Sequence, residues 1–119
     1  MSLIKHTEQL KHHLHWLKDR FEQNDPPKSM NDQKLFQTMK NETTIIFDLL
    51  EQWEKQALDT IKRSKMNVHP QQVVATKENI ELLIMHSYYI DIRRRRYMEY
   101  YHSSLYVLNQ LLSNLENES

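Results

Sequence analysis

The stretch that decides the fold is "IDIRRRRYMEYY", residues 90–101, in which four consecutive arginines lie between tyrosines. Apolar side chains run through it at intervals of seven (Leu83, Ile90 and Tyr97), a spacing that one continuous helix would also show. Four successive side chains, however, cover roughly 300° of a helix surface. At least one guanidinium would then face the core, where it is costly to desolvate without a partner. The arginines therefore predict a turn near residues 89–93.

Two proline breaks, at Pro26–Pro27 and at Pro70, divide the rest of the chain. In each segment, apolar residues recur at steps of three, four or seven, as on the buried face of a helix. The main positions are Leu10, Leu14, Leu17 and Phe21; Met39, Ile46, Leu50 and Trp53; Val73, Ile80, Leu83 and Ile84; Tyr97, Tyr101, Leu105, Leu108 and Leu112. The sequence predicts one domain over 1–119, an all-α, up-and-down antiparallel four-helix bundle. Its helices are expected at about 3–23, 31–64, 71–89 and 93–116.

The second helix is expected to be longer than the others. Ser29 and Asp32 have the spacing of a capping box at its start. Its length predicts either a bend near residues 40–44 or an overhanging end. An overhang would leave an apolar face that includes Phe36 and Met39, and we expect such a face to pair with a second copy of the chain as a homodimer.

The composition excludes several classes of protein. The 119 residues contain no glycine and no cysteine, so a phosphate-cradling loop, a dinucleotide fingerprint, a disulfide framework and a thiolate site are all excluded. Sixteen basic residues balance sixteen acidic ones, which gives no overall field toward nucleic acid or lipid. No apolar run approaches the roughly 18 residues of a membrane span. We expect a cytoplasmic protein that does not contact the membrane.

The C-terminal half has a recognisable pattern over residues 68–112, "VHPQQVVATKENIELLIMHSYYIDIRRRRYMEYYHSSLYVLNQLL". It combines "HP" before the third helix, "SYY…D.R" at the corner, "R.M" at the start of the last helix and "HSSLY.L..LL". In these features it resembles the YppE-like family of small proteins from Bacillus-type bacteria, whereas the N-terminal half is similar only in helix pattern. The resemblance implies a single four-helix bundle without an assigned activity, and it supplies no catalytic residue.

The first helix offers the one candidate metal site. Glu8, His12, His15 and Asp19 are spaced four, three and four apart, so they form one stripe of imidazole and carboxylate donors suited to Zn²⁺ or Ni²⁺. The stripe lies about 160° from the apolar face of its helix. It is therefore expected in solvent, without a second shell to orient its ligands. A hydrated polar face is the favoured interpretation, and we expect no bound metal or other cofactor.

Catalytic patterns are weak. Glu99 and His102 form one E-x-x-H pair, of which di-iron bundles use two, and it points roughly 105–165° away from the core stripe. Ser103 and Ser104 adjoin His102, but neighbouring residues on a helix diverge rather than face each other. We therefore expect that the protein is not an enzyme.

The arginine run is the strongest candidate contact surface. Arg93, Arg94, Arg95 and Arg96 lie among tyrosines, the ingredients of a surface for single-stranded nucleic acid or another polyanion. Against this, Asp91 and Glu99 are both within pairing distance of Arg95 along a helix, and Tyr97 and Tyr101 belong to the core stripe. A solvated helix corner is the first interpretation, a docking surface for protein the second and a weak polyanion site the third.

Trp16 lies more than about 100° off the apolar stripe of the first helix. Two interpretations are considered: an exposed anchor at an interface, or a side chain packed across the long second helix or against the proline loop, which is slightly favoured. Taken together, these features predict a non-enzymatic protein-interaction or structural module with an unidentified protein partner. A weak nucleic-acid or polyanion binder using Arg93–Arg96 and a metal-binding bundle using the first helix are the alternatives.

Overall fold

The computed structural model describes residues 2–23, 33–89 and 92–118, and this part of the chain contains helices and no strand. The helices are α1 (Leu3–Gln23), α2 (Gln33–Arg63), α3 (Pro70–Tyr88) and α4 (Arg94–Glu118). The chain thus divides at the arginine run, because α3 ends at Tyr88 and α4 begins at Arg94. Residues 90 and 91 of the predicted turn, and the capping box of Ser29 and Asp32, lie outside the described residues.

Side-chain contacts fix the direction of each helix. Residues near the beginning of one helix contact residues near the end of the next, so neighbours in sequence run antiparallel. The pairs are His6 with Gln56, Arg20 with Glu42, Lys77 with Glu54, Tyr88 with Glu42, and Ser87 with Tyr97. The molecule is an all-α bundle of the predicted up-and-down kind.

The four helices do not share contacts equally. α1 and α3 pack against each other across the bundle, and each also packs against α2 and α4. Over the described ranges of α2 and α4, by contrast, these two helices do not pack together. α1 and α3 therefore form a central pair, while α2 and α4 each keep an outward side available.

The core contains the predicted apolar stripes and several polar groups that hydropathy did not predict. Trp53 and Tyr97 are its two largest fully buried side chains, and the Tyr97 ring stacks on Phe21 with centroids 3.8 Å apart. Thr7 is fully buried and donates its hydroxyl to the Leu3 carbonyl at 2.7 Å, while the Trp53 indole donates to Thr7 Oγ1 at 3.1 Å. Because the Thr7 hydroxyl and the Trp53 indole each have a hydrogen-bond partner, their burial is not penalised.

α2 passes through residues 40–44 without a break, so the predicted bend does not interrupt it. Thr38, Thr43 and Thr44 donate their hydroxyls to backbone carbonyls four residues earlier, the arrangement in which threonine is accommodated inside a helix. Since Arg20 is level with Glu42, Gln23 falls level with about residue 39. The first turns of α2 therefore extend past the last described residue of α1.

The connection between α2 and α3 is stabilised by a cap and by amide side chains. Pro70 is the first residue of α3, one position earlier than predicted, and proline is favoured there because it needs no donor. His69 is the N-cap: its Nδ1 accepts from the Gln71 backbone at 3.3 Å, and its own N–H donates to Gln72 Oε1 at 2.8 Å. The capping residue is a histidine, where serine, threonine or aspartate is usual.

A search of the described residues for helices long and apolar enough to cross a bilayer finds none.

Candidate functional site

A groove runs along most of the length of α1, and α2 forms its other wall from Glu42 to Gln52. Three consecutive hollows of about 400, 330 and 360 Å³ make it up. The first and second are lined by both helices and share His13. The third adjoins the second at Trp16, and its described lining residues all belong to α1. We call the three hollows together the α1/α2 groove; it is lined from α1 by His6, Gln9, His12, His13, Trp16, Asp19, Arg20 and Gln23, and from α2 by Glu42, Ile45, Ile46, Asp48, Leu49 and Gln52.

The groove exposes large apolar side chains to solvent. Trp16 is 43% exposed and Ile45 is 66% exposed, while Ile46 and Leu49 are buried beneath them. Trp16 therefore combines the two predicted interpretations: one part of it lines hollows that α2 helps to form, and the other part is open. A large aromatic held in this way is typical of an anchor position in a protein interface.

One end of the groove is lined by three histidines, His6, His12 and His13. His6 is buried, and its Nδ1 lies 2.7 Å from Gln56 Oε1 on α2. Burial lowers the pKa of His13 below its ordinary value, and the neighbouring His12 lowers it further. His13 therefore favours its uncharged form in the folded protein.

The opposite end of the groove rests on a cluster that joins three helices. The Arg20 guanidinium lies 3.9 Å from the centre of the Tyr88 ring and 3.6 Å from Glu42 Oε1. The Tyr88 hydroxyl donates to the same Glu42 oxygen at 2.5 Å. Burial raises the pKa of Tyr88, and its hydrogen bond to Glu42 raises it further. The cluster links α1, α2 and α3 beside Trp16.

The predicted metal residues share α1 but are not gathered. Glu8, His12, His15 and Asp19 are all exposed, and His15 Nδ1 lies 2.8 Å from the Tyr101 hydroxyl on α4. In the described part of the chain, no three His, Asp or Glu residues come close enough together to hold a metal ion. His15 is thus engaged with α4, a contact that the helical angle did not predict.

The four corner arginines lie on the surface, as expected from the turn predicted near residues 89–93. Arg93, Arg94, Arg95 and Arg96 are exposed. Arg94 donates to Glu22 Oε1 at 2.6 Å, and Arg95 Nε lies 3.7 Å from Glu99 Oε1; no ion pair joins Arg93 or Arg96 to another described residue. The expected partner Asp91 lies outside the described residues. Half of the run is therefore compensated by nearby acids.

The aromatic and E-x-x-H predictions at this corner agree with the structure. Tyr97 and Tyr101 are buried, which removes both rings from any stacking surface. Glu99 and His102 are exposed on the outer side of α4. They line a shallow hollow with Arg94, Arg95, Met98 and Ser103.

Comparison with known proteins places the chain in a family. Residues 7–115 match the sequence profile of a bacterial domain of unknown function, DUF1798. The chain belongs to this family.

A curated relative of this DUF1798 chain is the uncharacterised protein YppE of Bacillus subtilis (strain 168), 28% identical over 118 residues, which cover 98% of this chain and 94% of the relative. The X-ray crystal structure of YppE superposes with a TM-score of 0.82 at 25% identity, covering 98% of this chain and 94% of that one. Its solution NMR structure superposes with a TM-score of 0.78 at 24% identity, covering 99% and 97%. The resemblance inferred from residues 68–112 therefore extends over both halves of the chain.

Some groups at the site of this DUF1798 domain had no signal in the sequence. Arg20, Glu42 and Tyr88 meet although they are far apart in the chain, and no local pattern joins them. Glu22, the partner of Arg94, was equally unmarked. Inspection of one helix at a time cannot reveal such groups, because each pair is created by the packing of two helices.

Proposed function

We propose that this chain is a non-enzymatic protein-interaction module, and that the α1/α2 groove binds an amphipathic helix of a protein partner. The observation that carries this proposal is Trp16, which is 43% exposed in a groove that continues on both sides of it. Leaving an indole ring in water forgoes burial that is worth about 2 kcal/mol or more. A partner that covers Trp16 and Ile45 recovers that free energy.

The shape and charge of the groove define the partner. From His6 to Gln23 the groove is about 25 Å long at 1.5 Å per residue, which suits a helix of about 16 residues bound in a groove. Asp19 and Asp48 are exposed along it, and the charge of Arg20 is balanced by Glu42. The groove is therefore acidic overall, so the proposed partner helix has an apolar stripe flanked by lysine or arginine.

The non-enzymatic part of the proposal is supported by the contacts that two histidines make between helices. His6 is engaged with Gln56 and His15 with Tyr101, in contacts between helices. A nucleophile would need a base in hydrogen-bond reach and a set of donors for the developing charge. We also propose that the protein is cytoplasmic. Its sequence contains no cysteine and is therefore compatible with a reducing environment.

The test combines capture with a measured affinity. A photo-crosslinking amino acid at Gln52, which lines the groove, captures the partner in the native cell, and the crosslinked segment is then synthesised and titrated against the purified protein. We expect Trp16→Ala to weaken binding at least about tenfold. Tyr106→Ala is the matched control, because Tyr106 is an even more exposed aromatic, 64% exposed, on α4. Equal loss in both variants, or a segment without basic residues, would refute the proposal.

A second candidate function, polyanion binding, is favoured by the exposure of all four corner arginines. Arg93 and Arg96 are available for phosphate, whereas Arg94 and Arg95 lie next to Glu22 and Glu99. Because so few phosphates could be contacted, binding to single-stranded DNA would be weak and would fall steeply with salt. Retardation at about 50 mM salt that disappears in the Arg93→Ala, Arg96→Ala double variant supports this candidate. Its absence at that salt concentration eliminates it.

A further inference from the structure

α4 carries a second seam beside the one that faces the core. The core seam contains Tyr97, Tyr101, Ser104, Leu108 and Leu111, all buried. A second run of residues, again spaced alternately by three and four, lies closer to solvent. It consists of Arg95, Met98, His102, Leu105, Asn109, Leu112 and Glu116. Alternating steps of three and four are the spacing by which one helix packs along another.

The second seam combines apolar residues at the margin of the core with exposed polar residues, a combination that a second helix could contact. Met98 and Leu105 are partly buried hydrophobic residues at the margin of the core, and Leu112 is 8% exposed. Arg95, His102, Asn109 and Glu116 between and beyond them are exposed. Within the described residues α4 packs only against α1 and α3, so α2 does not cover this side. A further helix can therefore approach it.

The second seam has complementary residues at equal distances from its centre, so an antiparallel copy of the same seam would match it. When the run is reversed, Arg95 is matched with Glu116, Met98 with Leu112, and His102 with Asn109, while Leu105 is matched with itself. The matches are basic with acidic, apolar with apolar and polar with polar. Two copies of α4 laid antiparallel about a two-fold axis would bring each residue next to its complement, the self-complementarity that an isologous dimer requires.

The charges of α4 also oppose the dipole of their own helix. Its first turn has no acidic residue and its last turn has no basic residue; arginines lie at the amino end and Glu116 near the carboxyl end. This distribution opposes the helix dipole, since anions stabilise the amino end of a helix and cations the carboxyl end; within the chain, Arg94 and Arg95 already lie close to Glu22 and Glu99. In an antiparallel pair, each end receives the opposite charge from the other copy.

We propose that a second copy of this chain docks its α4 antiparallel along the second seam, with the two-fold axis beside Leu105 and Tyr106. Tyr106 is 64% exposed and flanks the axis, where the two phenol rings approach each other. A single pair of helices buries less than the roughly 1,200 Å² of a standard interface. The dimer is therefore weak, salt-sensitive and independent of the α1/α2 groove.

A charge exchange tests the register by sedimentation equilibrium at low salt. Arg95→Glu places two acids together, and we expect it to raise the dimer dissociation constant about tenfold. Glu116→Arg should have an effect of similar size. The double variant Arg95→Glu, Glu116→Arg restores the attraction and should return to within about threefold of the original value. Lys55→Glu, an exposed charge reversal on α2, is the control and should change nothing.

Single cysteines distinguish this surface from its rivals, because the natural chain has none. We expect oxidised Tyr106→Cys to form a covalent dimer faster than Phe36→Cys, which lies on the extending end of α2, and Ile45→Cys in the groove should stay monomeric. Crosslinking through Phe36 instead would indicate a dimer formed by the apolar α2 face and would overturn this proposal. A mass of one chain at every concentration up to about 1 mM, the weakest affinity of interest, would also overturn it.

Discussion

The two ends of the bundle hold their polar groups in different ways. At the corner end, where α1 and α3 end and α4 begins, the contacts join different helices and include ionisable groups: Arg20 with Glu42, Glu22 with Arg94, and Tyr97 with Ser87. At the hairpin end, residues 64–69, the partners are neutral. The Asn67 N–H donates to Asn114 Oδ1, the Asn67 carbonyl accepts from Gln110, and His69 caps α3.

The two ends should therefore differ in how their stability depends on pH and salt. Hydrogen bonds between neutral amides depend little on pH, because neither partner carries a charge. At the corner end, buried phenols and ion pairs depend on protonation, and the exposed pairs also depend on salt. The corner end should therefore be the first to weaken at high pH, and substitutions there should be more costly than at the hairpin end.

The largest expected effect is at the corner end, in Tyr97→Ala. Tyr97 is fully buried, stacks on Phe21 and bonds to Ser87, so the free energy of unfolding should fall by about 3–5 kcal/mol. Urea unfolding monitored by far-UV circular dichroism measures it. Tyr106→Ala, an exposed aromatic on the same helix, should stay within about 0.5 kcal/mol of the original. A loss below about 1 kcal/mol for Tyr97→Ala would show that this end is not tightly packed.

The next effect is a loss of stability in alkali. Burial raises the pKa of Tyr97 to about 12, and burial also raises the pKa of Tyr88 and of Tyr101. The unfolded chain ionises its tyrosines near pH 10, whereas the folded one resists, so stability is complete below about pH 10 and falls above it. Each such tyrosine contributes up to about 1.4 kcal/mol for each pH unit between the two pKa values.

Urea unfolding at pH 9 and at pH 11 measures this loss. Tyr97→Phe should make the pH dependence visibly shallower, because one of the resisting phenols is gone. Tyr106→Phe removes an exposed phenol and serves as the control, with the slope unchanged. Equal slopes in both variants would contradict an ionisable corner end.

At the hairpin end a smaller effect is expected from His69→Ala. It removes the Nδ1 acceptor for the Gln71 N–H, and the loss of a cap costs about 1 kcal/mol. His69→Asn should retain most of the stability, because asparagine is a preferred capping residue. His102→Ala, on the exposed surface of α4, is the control. The comparison of the two ends would fail if His69→Ala cost as much as Tyr97→Ala.

The smallest expected effects concern two buried serine hydroxyls, one with a hydrogen-bond partner and one without. Ser87 donates to the Leu83 carbonyl at 2.6 Å, so Tyr97 donates to Ser87, and Ser87→Ala should cost about 1 kcal/mol. Ser104 is equally buried, but its Oγ has no hydrogen-bond partner among the described residues. Ser104→Ala should therefore leave stability unchanged or raise it by a few tenths of a kcal/mol, roughly. Thermal unfolding of the two variants measures this difference. An equal loss of stability in both would mean that Ser104 has a hydrogen-bond partner.

The helices and their order could be predicted from the sequence because they depend on local signals. Proline breaks, the spacing of apolar residues and the cost of burying guanidinium each act within a short segment, and Pro70 and the arginine run show this directly. The detailed face of each helix was predicted less well. Leu105 was assigned to the core stripe of α4 but is only partly buried, whereas the polar Ser104 is fully buried, since two seams with the same spacing run side by side.

The site was only partly predictable for a related reason. The angle of Trp16 on α1 left two interpretations, of which packing was slightly favoured, and the structure leaves 43% of this side chain exposed. The groove around it depends on where α2 lies relative to α1, which no segment encodes alone. The burial of His6 and Thr7 likewise depends on Gln56 and Trp53 of α2, and a hydropathy pattern assigns such polar residues to the surface.

The central packing of α1 against α3 has a consequence for folding. These two helices are not consecutive, so neither the α1–α2 hairpin nor the α3–α4 hairpin contains that contact. Each hairpin, formed alone, would leave one flank of its inner helix in water, and most of the stability of a helix in a protein comes from the packing of its apolar face. The bundle should therefore assemble in one cooperative transition, with no stable half, and its rate should be governed by the meeting of the two hairpins.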